Sequence, residues 1–370
     1  MANTDIDMES INEKEKIGFA LGGLAGNNAF GAGFLQAALD FNVKPDFIAA
    51  TSGQIFWTLK YLQALDGGDS LEKVLKDEIE KASPYPSKDL NWMNVVNFGV
   101  KDVYQPVSQV ESMTEFYANV LDTVRKVSTI ALDKKNFKTF SWFEEMQSWS
   151  SSRTLKPART DEVFEQISAA FNRADMGIAI NAYSPSEGEE HVYLNERARE
   201  VLGVEYGKEG PYRQRTVYYE ITPENIKNSL WLYQYGFSEE RTIIDGAYYR
   251  QILLSELVGA DKIFVARPIN HKWLGPLPRN DVSAKDLQTE ISFNGCYSGE
   301  RDKIQLINFL IERGELSKDK FHRIDLFELE IPTQEGFFDY VFEKTSVFED
   351  ARKLALKLFR DPATWVIKER

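Results

Sequence analysis

Two short apolar runs, each ending in a tight turn and each followed by a helical pattern, fill residues 17–65 and constrain the fold. Ile17-Gly18-Phe19-Ala20-Leu21 reads as a buried strand and runs straight into Gly22-Gly23-Leu24-Ala25-Gly26, with Gly31 and Gly33 just beyond. Phe30, Phe34, Leu35, Ala38 and Leu39 then recur at helical spacing. Phe47-Ile48-Ala49-Ala50 repeats the strand signal, and Ile55, Phe56, Leu59 and Leu62 repeat the helical one before Gly67-Gly68 stops it. Strand, helix, strand, helix in that order implies a parallel sheet covered by helices.

Both turns invite chemistry. Ser52 sits where the second strand bends into a helix. A serine there ordinarily caps the helix by accepting a backbone N–H. The same position suits a nucleophile, because amides at the helix start can hold the oxyanion formed by its attack. The glycine-rich turn has three readings. It can be a tight turn needed for packing, an anion-binding turn serving the Ser52 site, or a dinucleotide loop. The last would use Asp46 on a ribose, but Asp46 precedes its strand and the glycines do not match G-x-G-x-x-G.

Residues 70–173 are rich in helical pattern and aromatics, including Trp92, Phe98, Phe116, Tyr117, Phe140, Trp142 and Trp149. This predicts a helical insertion over the active edge of the sheet. Most of its aromatics would fill a core, and some could meet an apolar ligand. Gly177–Tyr183 reads as a strand, Glu187–Glu190 as an acidic turn and His191–Leu194 as the returning partner. A further strand covers Thr216–Ile221, and Thr222-Pro223-Glu224 opens a helix. Thr242-Ile243-Ile244 predicts a strand that ends at Asp245-Gly246-Ala247, on the edge where α/β sheets gather their sites. A helix over 251–258, a strand over 262–266, a helix near 302–313, a strand over 324–331 and a helix over 346–359 complete the expectation.

Composition removes several functions. A net charge of −13 over 370 residues argues against nucleic acid as a partner. One cysteine, Cys296, permits no intrachain disulfide and no cysteine-based metal site. His191, His271 and His322 lie far apart in sequence and predict no metal site, and no calcium-loop pattern occurs. Residues 1–16 are polar and acidic, which predicts a disordered tail rather than a signal peptide. No stretch reaches transmembrane length. The default expectation is a cytoplasmic chain, compatible with peripheral contact at a membrane surface.

The assembled motifs resemble the patatin-like phospholipase family. Its G-G-G-x-[RK]-G turn corresponds to Gly23-Leu24-Ala25-Gly26-Asn27-Asn28 and its G-x-S-x-G elbow to Ala50-Thr51-Ser52-Gly53-Gln54. Its D-G-[GA] motif corresponds to Asp245-Gly246-Ala247. The likeness runs from about Ile17 to Ala266. It implies a three-layer α/β fold: a mainly parallel sheet, helices on both faces and the helical, aromatic-rich insertion. It also implies a catalytic domain over 17–270 with a helical extension, 271–370, packed on it. By resemblance Ser52 and Asp245 form the catalytic dyad, and amides of Gly23, Leu24, Ala25, Gly26 and Gly53 form the oxyanion hole. The substrate implied is a lipid or other carboxylic ester, cleaved without cofactor or metal; the motifs do not say which ester. Leu24 and Ala25 replace glycines, Asn27 the basic residue, Asn28 and Gln54 further glycines, and Arg250 and Gln251 stand where asparagines are usual. The alternative is therefore an impaired enzyme that keeps the fold and binds a lipid or a protein.

Overall fold

A computed structural model describes residues 15–24, 27–81, 104–107, 109–132, 155–157, 159–238, 241–279, 281–318, 320–332 and 345–362. The N-terminal tail and most of the insertion's aromatics (Trp92, Phe98, Phe140, Trp142 and Trp149 among them) lie outside these residues. The elements in chain order are Ile17–Leu21 (β1), Asn28–Phe41 (α1), Phe47–Ala50 (β2), Gln54–Leu65 (α2), Leu71–Lys81 (α3), Tyr104–Pro106 (β3) and Gln109–Leu132 (α4). Next come Leu155–Pro157 (β4), Asp161–Arg173 (α5), Gly177–Ser184 (β5), Glu189–Leu194 (β6), Glu196–Leu202 (α6), Lys208–Glu209 (β7), Thr216–Glu220 (β8) and Pro223–Ser229 (α7). Ile244–Asp245 (β9), Lys262–Arg267 (β10), Asp281–Glu312 (α8), Asp325–Glu330 (β11) and Thr345–Arg360 (α9) follow.

The central sheet runs β11-β10-β1-β2-β5-β6-β8-β7, with β9 joined antiparallel to β5. From β11 to β5 every pairing is parallel, and β6 and β8 are parallel to each other. The hairpin β5–β6 and the short β7 supply the antiparallel contacts. Alternation along β1 sends Phe19 and Leu21 to one core and Ala20 to another. The first core is closed by α1, α2, α5 and α9. The second is closed by α6, α8 and the buried segment 252–257. Helices thus cover both faces of the sheet, a three-layer α/β architecture.

Small residues let the first face close tightly. A Cβ on Gly33 of α1 would stand 2.1 Å from the Phe348 carbonyl oxygen of α9, so the two helices meet backbone to backbone. Several elements depart from expectation, among them the strand expected over 242–244, which forms only as Ile244–Asp245. Residues 251–258 form only a single tight turn, Ser255–Leu257, because their polar groups are bonded elsewhere. The Gln251 carbonyl accepts from Thr51, and both the amide and the hydroxyl of Ser255 donate to Glu300. The helix expected near 302–313 begins much earlier, at Asp281, and runs through Gly295 and Gly299. No helix among the described residues is long and apolar enough to cross a membrane.

Candidate active site

The carboxyl ends of β1, β2 and β10 lie side by side, and the two turns of interest spring from the first two. β2 ends at Ala50. Thr51 is fully buried, and its amide donates to the Leu21 carbonyl at 3.2 Å. Ser52 then adopts φ +52°, a left-handed conformation that costs a residue with a side chain about 1–2 kcal/mol. Gly53 caps α2 without any side-chain bond, so Ser52 is not the conventional helix cap. The strained serine stays partly exposed on the bend.

Asp245 reaches the same place from β9. Its amide donates to the Trp231 carbonyl at 2.9 Å, and its side chain accepts the Ala247 amide at 2.9 Å. The carboxyl is fully buried, and that burial pushes its pKa up to about 7. The Ser52 hydroxyl reaches toward the carboxylate and, as a donor, favours its ionised form, as does the Ala247 amide. Tyr235 and Tyr248 lie near enough to feel its charge, and Trp231 packs edge-on against Tyr235. The structure therefore brings Ser52 and Asp245 together across 193 residues of chain (245 − 52).

The glycine-rich turn abuts the elbow: a Cβ on Gly23 would lie 2.5 Å from that of Ser52. Its amides are not directed at the serine, however. Gly23 N–H donates to Thr51 Oγ1 at 2.9 Å, and Thr51 Oγ1 in turn donates to the Gln251 carbonyl at 2.6 Å. Leu24 N–H donates to Asn28 Oδ1 at 3.0 Å. Ala25 and Gly26 lie outside the described residues. The Gly53 amide, at the start of α2, meets no acceptor among the described residues. Thr51, Asn28 and Gln251 thus control the candidate oxyanion donors, and sequence reading missed the first of these entirely. Nothing in a lone threonine before the elbow serine signals that its hydroxyl will bond a turn 28 residues earlier.

Two other polar groups have structural partners. Asp46, considered above for a ribose, accepts the Ile17 amide at 2.9 Å and so fixes the start of β1. Asn27 is buried and donates to the Pro268 carbonyl at 3.1 Å.

Among solved structures, the chain is similar to VipD from Legionella pneumophila. The alignment covers 93% of this chain and 67% of that one, at 12% identity and a TM-score of 0.28. No family model matches the chain, and no curated protein does.

Proposed function

We propose that this chain is a serine acyl hydrolase that cleaves a lipid or other apolar carboxylic ester through Ser52 and Asp245. The observation that carries this reading is a buried aspartate, titrating near 7, facing a serine held at positive φ. At neutral pH such a carboxylate is part ionised and basic enough to take the Ser52 proton. Ser52 Oγ then attacks the ester carbonyl, and the alcohol leaves with a proton returned by Asp245. Water, deprotonated by Asp245, releases the acyl group. The Gly53 amide is the oxyanion donor that the described residues leave available. On α4, Met113, Tyr117 and Leu121 are 55%, 58% and 70% exposed at four-residue spacing, an apolar stripe that suits a lipid substrate.

A second reading is favoured by one observation: the Gly23 and Leu24 amides are already bonded. Losing one oxyanion donor costs about 10²–10³ in rate, so losing two leaves a protein that binds esters more than it turns them over. Labelling with a fluorophosphonate separates the readings. We expect wild type to label, Ser52→Ala not to label, and Asp245→Asn to label far more slowly. Failure of a folded wild type to label at any pH between 6 and 9 would overturn the hydrolase reading and leave the binding one.

A further inference from the structure

The β5–β6 hairpin carries a group of ligands that the hydrolase chemistry does not use. Its turn closes through Gly188 at φ +68°, whose amide donates to the Ser184 carbonyl. Beyond it, strand alternation puts Glu189 and His191 on one face and sends Glu190 to the other, where it bonds Arg250 and Asn181. Glu187, in the turn, reaches the same side as Glu189 and His191. One ligand atom from each of the three lies within 4.8 Å of the others.

The histidine points to what the group holds. His191 is 7% exposed, and its Nε2 is buried with no hydrogen-bond partner among the described residues. Tyr219 fixes the ring from one side, 4.9 Å away. Glu187 Oε2 stands 3.5 Å from that Nε2, too far for a good hydrogen bond. That distance suits two atoms bound to one ion, because ligands about 2.0–2.2 Å from a tetrahedral metal sit about 3.3–3.6 Å apart. Glu187, with a side chain 59% exposed, is free to swing the remaining distance.

We propose that Glu187, Glu189 and His191 bind a divalent transition-metal ion of the zinc class. One imidazole with two carboxylates prefers zinc to magnesium or calcium and leaves a coordination position for water. His191 pairs with Ala182, and Ala182 pairs with Asp245 on its other side, so the site lies two strands from the candidate base. That spacing is about 10 Å, and the ion would brace the hairpin rather than touch Ser52.

Calorimetric titration of the full chain with zinc chloride at pH 7.5 tests this. We expect saturable binding of one equivalent, accompanied by a higher melting temperature, and no binding of magnesium or calcium at the same concentrations. Glu187→Gln, at an exposed position that leaves the fold intact, should weaken zinc by about tenfold or more. His191→Gln should abolish it, and Cys296→Ser should leave it unchanged. A wild type that takes up no zinc would overturn the site. So would zinc binding of equal strength in wild type, Glu187→Gln and His191→Gln.

Discussion

Burial of the Asp245 carboxylate raises its pKa from 3.8 to about 7, so between those values the folded chain holds a proton that the unfolded chain has released. Native protein then binds more protons than unfolded, and stability falls as pH rises through this window. The ionised carboxylate costs the fold up to about 4 kcal/mol above pH 7, from the shift at 1.36 kcal/mol per unit. Asp245→Asn keeps an oxygen for the Ala247 amide but carries no charge. Thermal melts should therefore show the variant more stable than wild type at pH 8, with the gap closing as the pH approaches 4. A gap of the same size at both pH values would mean that Asp245 is not buried as described. The positions of Ser52 and Asp245 at strand ends were legible in the sequence, because a strand end is a local pattern. The depth of Asp245 was not. It depends on how distant parts of the chain close over the carboxyl, which no spacing announces.

Where α1 meets α2, two polar side chains and two glycines fit one another. Gln54 is fully buried, and its Nε2 donates to the Asn28 carbonyl at 3.0 Å. Room for it comes from Gly31 across the interface, where a Cβ would stand 2.2 Å from Gln54 Oε1. Gly53 makes the matching room for Asn28, whose Nδ2 would lie 2.0 Å from a Cβ there. Two side chains have moved into spaces that two glycines leave. Gly31→Ala should destabilise the fold by about 1–3 kcal/mol through overpacking. Adding Gln54→Ala should recover most of that loss, a coupling that chemical denaturation of the two single variants and the double variant would measure. Additive losses would show that Gly31 and Gln54 do not share the space. The β1–α1–β2–α2 order was readable because each step is set within a few residues. The segment 251–258 was misjudged because its apolar spacing looks helical, while distant groups on Thr51 and Glu300 take its polar atoms.

Across the whole molecule, a buried charge cluster ties the Asp245 loop to the hairpin and to α8. Arg250, 1% exposed, donates to Glu190 at 2.8 Å, to Glu256 at 2.8 Å and to Glu300 at 3.2 Å. Arg213 adds a bond of 2.8 Å to Glu300 from the rim, with its side chain 29% exposed. Against the cost of its burial, the two arginines hold Glu300 down to about 2, while burial pushes Glu256 upward. Such a cluster is invisible in sequence, since Glu300 and Glu190 lie 50 and 60 residues from Arg250, and all its members look like ordinary surface charges. Two arginines face three carboxylates, so the balance is already short of positive charge, and removing Arg250 strands the acids in the interior. Arg250→Met should cost about 3–5 kcal/mol, the scale for breaking a buried pair. The sign of its pH dependence follows. Without the arginine, which lowers both, the folded-state pKa values of Glu256 and Glu300 rise, so the penalty is full at pH 8 and eases as acidification protonates them. Urea midpoints should fall further below wild type at pH 8 than at pH 5, and Arg213→Met, which removes a partly exposed side chain and leaves Arg250 still bonded to Glu300, should show a smaller loss. Equal losses at both pH values would mean that the packing of the Arg250 side chain, rather than its charge, holds the Asp245 loop against the sheet.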